Sequence, residues 1–131
     1  MKEWKPDPIV KQLVFQGDPV LNIPIERLWD RCKFYDGGKN YGMGGITFSR
    51  KRIVFSSNIV ESGHIGQQAS IIYHELVHVA QQLHYGWLRF MAKYPQQWIK
   101  AGRKYENMKD SGFEGEAYAL QDKFEKDMYY S

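Results

Sequence analysis

The segment His74-Glu75-Leu76-Val77-His78 carries residue types that can bind and use a metal ion. If the segment is helical, residues at i and i+4 lie on one face, a single turn apart. Two imidazoles placed in this way can bind one zinc ion at about 2.0–2.1 Å each. Glu75 follows the first histidine, so its carboxylate projects beside the metal, where it can accept a proton from an attacking water. The motif predicts a catalytic zinc site with His74 and His78 as ligands and Glu75 as the general base.

A catalytic zinc site needs a third protein ligand. His84 would complete the spacing of the metzincin motif, but that motif requires a glycine where this chain has Gln81. Without a break in the helix, His84 lies about 120° away from the face of His78, at ~100° per residue. It also lies about 9 Å further along the helix axis. We therefore expect His84 to be a solvent-side or core histidine rather than a ligand.

Two acidic residues near the C-terminus are the other candidates. Glu114 and Glu116 are two positions apart in a helical pattern, so they project to nearly opposite sides. Each lies roughly 80° from the apolar face of that helix, at ~100° per residue. The periodicity alone does not choose between them.

The apolar pattern predicts the elements that position these residues. Alternating residues in Ile46-Thr47-Phe48 and Ile53-Val54-Phe55 predict a hairpin around the turn 49–52. Three- and four-residue steps predict an amphipathic helix from about Gly66 to Tyr85, capped by Gly86. A second helix should begin at Trp87 and break or restart at Pro95. A last helix should run from near Ser111 to about Met128. The predicted class is α+β, with a small sheet followed by helices.

The first thirty residues hold four of the five prolines. We expect them to be extended and rich in turns, with one short helix from Ile25 to Lys33.

Composition limits the classes of protein that fit. The 131 residues fit one domain, and an apolar share of 43% is enough for a core. The single cysteine, Cys32, excludes an intrachain disulfide and a cysteine-ligated zinc finger. A net charge of +3 is too small to indicate nucleic acid, and the basic runs 50–52 and 100–104 fit a solvated turn and helix face.

The start of the chain lacks the apolar run of a signal peptide, and no stretch of the sequence predicts a membrane-spanning helix. We therefore expect a cytoplasmic protein whose partners include neither nucleic acid nor a membrane.

Four stretches of the chain match a known pattern: Gly45-Ile46-Thr47-Phe48, Ile53-Val54-Phe55, Tyr73-His74-Glu75-Leu76-Val77-His78-Val79-Ala80-Gln81-Gln82 and Phe113-Glu114-Gly115-Glu116-Ala117-Tyr118. Through them, the run from Gly44 to Ala119 resembles the minimal gluzincin-type HExxH zinc metallopeptidases, a family of small peptidase domains found near extracellular contractile injection systems. The resemblance implies a zincin-like domain over 1–131, in which 1–40 is a proline-rich extension and 41–131 is the catalytic core.

The resemblance also implies site residues. Gluzincins supply a glutamate ligand from a second helix, with a small residue three positions later, which matches Glu114 and Ala117. Larger gluzincins often carry an aspartate four residues after that glutamate, which orients one histidine, and Tyr118 stands at this position here. We expect Tyr118 and Gln81 to lie beside the ligands and to orient them.

The expected reaction is zinc-assisted hydrolysis of a peptide bond in a peptide or protein substrate, with Glu75 moving the proton. An extended substrate would pair with the strand edge at Gly45, Ile46 and Thr47. A donor for the developing oxyanion is also needed. The sequence offers Tyr85, Tyr105 and Tyr118 without ranking them.

Two alternatives stay open. A catalytically inactive zinc-binding adaptor or structural protein with a degenerate peptidase fold would bind the metal without hydrolysis, although it would have no need of Glu75. A latent enzyme would have its N-terminal segment across the cleft, with Cys32 blocking the zinc.

Overall fold

A four-stranded mixed sheet and six helices make up the part of the chain that the computed structural model describes, residues 1–42, 44–49, 51–100 and 112–130. The predicted α+β class is confirmed. The strands are β1 (Lys2–Glu3), β2 (Lys33–Asp36), β3 (Gly45–Ser49) and β4 (Arg52–Phe55). The helices are α1 (Pro8–Phe15), α2 (Ile25–Arg31), α3 (Ser57–Val60), α4 (Ile65–Tyr85), α5 (Trp87–Lys100) and α6 (Gly112–Tyr130).

The sheet has the strand order β1-β2-β4-β3. β3 and β4 form the predicted antiparallel hairpin, in which Ile46 lies opposite Val54. β2 pairs with β4 in parallel, so Phe34 lies opposite Ile53. β3 is therefore an edge strand among the described strands, and its outer backbone groups are available for pairing. Arg50, in the predicted turn, lies outside the described residues.

The N-terminal forty residues contribute to the same hydrophobic core as the rest. The expectation of extended chain was wrong at α1, which begins at Pro8. The side chain of Asp7 caps this helix by accepting a hydrogen bond from the Ile9 backbone at 2.8 Å. Proline is tolerated in the first turn because its missing N–H would have no intrahelical partner there. Val10 and Val14 are fully buried in the core.

The long helix α4 runs through the middle of this core. It begins after His64, whose Nδ1 accepts a hydrogen bond from the Gln67 backbone at 2.9 Å. It ends at Gly86, which has the positive φ of 88° that favours glycine. The prediction of a helix to Tyr85 with a glycine cap is confirmed. The apolar stripe of α4 is buried, and it comprises Ala69, Ile72, Tyr73, Leu76 and Ala80.

Helix α5 is continuous from Trp87 to Lys100, so the expected break at Pro95 was wrong. Proline removes the hydrogen bond to the carbonyl four residues earlier, that of Met91. Both Pro95 and Met91 lie on the exposed side of α5, where water can satisfy that carbonyl.

Helix α6 packs along α4 and carries the acidic candidates. Ser111, at its predicted start, lies outside the described residues, as do Tyr105 and most of the run 100–104. Ala117 is fully buried, and the ring of Phe124 stacks on that of Tyr73 with centroids 4.5 Å apart. The backbone N–H of Phe113 donates to Oε1 of Gln97 at 2.9 Å, which joins the start of α6 to α5. Among the described helices, none combines the length and the apolar character needed to cross a bilayer.

Candidate metal centre

Three buried side chains from two helices converge on one point. His74 and His78 come from α4, one turn apart, and Glu114 comes from the first turn of α6. Their potential ligand atoms lie within 4.8 Å of one another, and no other such group occurs among the described residues. Oε1 of Glu114 lies 3.5 Å from Nε2 of His74 and forms an ion-pair contact with Nε2 of His78. This set of two imidazoles and one carboxylate is a known zinc-binding combination.

Glu114 is the strongest indication that a cation belongs here. Its side chain is 1% exposed, and its carboxylate lies against the imidazoles of His74 and His78 and accepts a hydrogen bond from the hydroxyl of Tyr94. Burying such a group is costly unless a positive charge compensates it. Burial by itself raises the pKa of Glu114, but the close contacts with His74 and His78 outweigh this effect and hold the pKa well below its ordinary range. The carboxylate is therefore ionised and fits a metal ion.

The pKa of His78 shifts in the opposite direction to that of Glu114. Burial by itself lowers its pKa, but the contact with Glu114 and the negative charges of Glu75 and Glu114 outweigh burial and raise the pKa to about 9. Without a metal, the cluster therefore holds a proton on His78 at neutral pH. A divalent cation would displace that proton.

A hydrogen-bonded chain behind His78 sets which ring nitrogen faces the site. Nδ1 of His78 lies 2.8 Å from Oε1 of Gln81. The amide nitrogen of Gln81 donates to the carbonyl of Phe113 at 3.0 Å and to Oε1 of Glu116 at 2.9 Å. Because the backbone carbonyl of Phe113 can only accept, the amide orientation is fixed, and Nδ1 of His78 must donate. In the neutral ring, this leaves the lone pair of Nε2 pointing at Glu114.

A second series of hydrogen bonds sets which ring nitrogen of His74 faces the site. Nδ1 of His74 lies 2.8 Å from Oε1 of Gln121. The amide nitrogen of Gln121 donates to the hydroxyl of Ser70 at 2.8 Å and to Oε1 of Glu125 at 3.3 Å. The hydroxyl of Ser70 in turn donates to Glu125. Both imidazoles are thus held in the tautomer that presents Nε2 to a metal, by partners that fix ring orientation and basicity.

Glu75 lies beside the three candidate ligands and is 4% exposed. The hydroxyl of Thr47 donates to its Oε1 at 2.8 Å. Its Oε2 lies 4.0 Å from Nε2 of His74 and so faces the centre. β3 approaches closely because residue 45 is glycine: a Cβ there would lie 3.2 Å from Cγ of Glu75 and 3.2 Å from the ring of Phe55.

The other predicted residues take varied places. His84 is exposed near the end of α4, with its ring 4.7 Å from that of Tyr85. Tyr118 does lie beside His74, with ring centroids 4.5 Å apart, but Nδ1 of His74 donates its hydrogen bond to Oε1 of Gln121. Cys32 packs against the core, where burial raises the pKa of its thiol to about 12. It does not belong to the metal-binding group.

Comparison with protein-family models, with curated proteins and with solved structures gives no match. The proposed function therefore depends on the geometry of the site.

Tyr94 is a site residue that sequence reasoning missed. It extends from α5, with its ring 6.1 Å from that of His78 and 5.6 Å from that of Phe90. Burial, with the negative charges of Glu114 and Glu75, raises the pKa of its hydroxyl, which therefore stays protonated and can donate. Tyr94 thus places a phenol donor on the same centre as Glu75.

Gln121 was missed as well, although the sequence contains its signal. It stands seven residues after Glu114, about two helical turns, so both project from one side of α6. For Tyr94 the sequence contains no comparable signal, because its place depends on how α5 folds back after Gly86.

Proposed function

We propose that this chain is a zinc-dependent hydrolase with a zincin-like fold, and that it acts as a peptidase. One observation carries the proposal. The ionised, buried Glu114 faces two imidazoles whose Nε2 atoms are directed at it, and a fourth side chain, Glu75, lies beside them. A site that only bound zinc would have no use for that additional carboxylate.

Zinc bound to His74, His78 and Glu114 would supply Lewis-acid chemistry, lowering the pKa of water towards about 7 and polarising a carbonyl. The residues present fit that ion in type and charge. A divalent ion bound by two neutral imidazoles and one carboxylate keeps a net positive charge. The hydrogen-bonded chains through Gln81 and Gln121 do not neutralise that charge, because neither adds a carboxylate to the ligand set.

The remaining groups divide the work of hydrolysis. Oε2 of Glu75 accepts the proton of the attacking water and passes it to the leaving amine, while Oε1 stays bonded to Thr47. The hydroxyl of Tyr94, which bonds Glu114 in the substrate-free protein, turns to donate its hydrogen bond to the oxygen on which negative charge develops. The outer edge of β3, at Gly45, Ile46 and Thr47, pairs with an extended substrate, which gives affinity with little sequence preference.

The alternative is a zinc-binding adaptor or structural protein without turnover. One observation favours it: His74, Glu75 and His78 are only 4–5% exposed, as in a closed structural site. Turnover measurements separate the two functions.

The test compares Glu75→Gln with His74→Ala in zinc content and in cleavage of a broad peptide library. Glu75→Gln should keep one zinc per chain and lose activity, whereas His74→Ala should lose both. Glu61→Gln, at an exposed residue outside the site, is the matched control and should keep both. Equal cleavage by wild type and Glu75→Gln would refute the peptidase assignment. Zinc binding without cleavage by the wild type would favour the adaptor.

A further inference from the structure

Helix α5 carries an apolar surface that the described part of the chain leaves exposed. Leu88 is 76% exposed and Ile99 is 55% exposed, values unusual for large aliphatic side chains on one helix. Met91 and Trp98 are also exposed. At ~100° per residue, these four residues fall within an arc of about 100°. We call this arc the α5 apolar face.

The buried side of α5 lies elsewhere on the helix. Phe90 is buried, and Tyr94 faces the candidate metal centre. Both lie outside the α5 apolar face, beyond its Trp98 edge. The apolar face is therefore additional to the surface that attaches α5 to the protein.

The charges of α5 are of one sign. Between Trp87 and Lys100 there is no acidic residue, and the cations are Arg89, Lys93 and Lys100. They fall within an arc of about 40°, beginning about 80° beyond the Ile99 edge, at ~100° per residue. An exposed apolar face with cations on another face of the same helix is typical of a helix that lies in the interface of an anionic membrane.

A second copy of the chain is a poorer occupant. A symmetric pairing through this face would bring the same patch of both copies together. The cationic stripes would then approach each other. The acidic group near them, Glu116 of α6, lines a cavity with Arg89 and Lys93 of its own copy. Anionic headgroups satisfy the cations, and tryptophan, here Trp87 and Trp98, is favoured at the membrane–water boundary.

We propose that the α5 apolar face and its cationic stripe bind the chain to the surface of an anionic lipid bilayer. Leu88, Met91 and Ile99 enter the boundary of the acyl chains, and the three cations contact headgroups. The expectation that no membrane is a partner depended on the lack of a spanning segment, which does not bear on a helix lying parallel to the surface. This binding is independent of zinc and of hydrolysis.

Flotation of the full chain with lipid vesicles tests this proposal. Vesicles of equal parts phosphatidylglycerol and phosphatidylcholine should bind roughly 100-fold more tightly than pure phosphatidylcholine, at about fivefold per cation. Binding should weaken as salt is raised to about 0.5 M. Brominated lipid should quench tryptophan fluorescence, and Trp87→Phe with Trp98→Phe should remove that quenching.

Leu88→Glu with Ile99→Glu should reduce binding at least tenfold. Ile9→Glu is the matched control, because Ile9 is 52% exposed on α1, outside the α5 apolar face. Should the double variant misfold by circular dichroism, Arg89→Gln with Lys93→Gln tests the charge component alone.

The proposal would be overturned by no binding to anionic vesicles, by binding unaffected by both sets of α5 variants, or by a concentration-dependent dimer that Leu88→Glu disrupts in a protein that does not bind vesicles. Binding to an acidic polypeptide but not to vesicles would assign the face to a protein partner and would also refute it.

Discussion

The hydroxyl of Thr47 donates a hydrogen bond to Oε1 of Glu75 across 2.8 Å, linking the edge strand to the helix that holds the histidines. The same hydroxyl lies 3.4 Å from the backbone carbonyl of Glu75. With Oε1 bonded, Oε2 is the oxygen left to face the metal centre. Thr47, expected to bind substrate, therefore also positions the proposed base.

Replacing Thr47 tests this positioning. Thr47→Val keeps the shape and removes the donor. Hydrogen bonds to charged groups contribute about 1.5–3 kcal/mol, so we expect kcat to fall roughly 10- to 100-fold. Zinc stoichiometry and KM should change little, because the ligands and the strand edge remain. Thr47→Ser restores the hydroxyl and should recover most of the rate. Full activity in Thr47→Val would show that the bond does not matter.

Gln121 offers a test of the chain behind His74. Gln121→Leu removes the acceptor for Nδ1, so the imidazole loses its fixed tautomer and orientation. Loss of such partners typically lowers metal affinity 10- to 100-fold. Zinc competition against a chelator measures the change. Asp122→Asn, at the exposed neighbouring residue, should leave the affinity unaltered, and an unaltered affinity in Gln121→Leu would count against the assigned role.

The stability of the metal-free protein should depend on His78. Its pKa rises from 6.5 to about 9 on folding, so its protonated form stabilises the fold fully below pH 6.5, and this contribution is lost as the pH rises through about 9. The free energy of unfolding should therefore decrease over that window, by at most about 1.4 kcal/mol per pH unit. Urea titrations at pH 6, 7.5 and 9 measure it.

The zinc-loaded protein is the control for the pH series. Zinc replaces the proton on His78, so its stability should not fall across the same window. A metal-free protein whose stability stays level from pH 6 to pH 9 would contradict the coupling between His78 and Glu114.

The parts of the fold that follow local periodicity were predictable. The β3–β4 hairpin and α4 each have a clear period, of two residues and of three to four residues, and their bounds agree with the sequence to within one or two residues. Pro8 misled because proline terminates a helix from its interior but is tolerated in its first turn, after a cap such as Asp7. The predicted break at Pro95 was wrong because Pro95 lies on the exposed side of α5, where water can satisfy the carbonyl of Met91.

The centre was predictable only in part, for a physical reason. Within α4, the spacing of His74 and His78 sets their relation, since both belong to one helix. The choice between Glu114 and Glu116 depends on how α6 is rotated against α4. That rotation places Glu114 at the histidines and Glu116 on Gln81, so both acids serve the centre in different ways. Helix periodicity does not predict the rotation of α6 against α4.

Tyr94 gives the sharpest test of the hydrolytic mechanism, because its hydroxyl reaches the centre through a hydrogen bond to Glu114 but does not belong to the metal-binding group. Tyr94→Phe keeps the ring against Phe90 and His78 and removes the donor. Removing one oxyanion donor costs about 10²–10³ in kcat, and we expect that loss with KM nearly unchanged. Because the hydroxyl also bonds Glu114, kcat is measured on zinc-saturated protein. Tyr85→Phe is the control, because Tyr85 contacts His84 and Phe113 rather than the centre. A structural role for Tyr94 would instead lower the unfolding free energy and leave kcat of the folded protein intact. Such a result would move the search for the oxyanion donor to Tyr118, which already lies against the ring of His74.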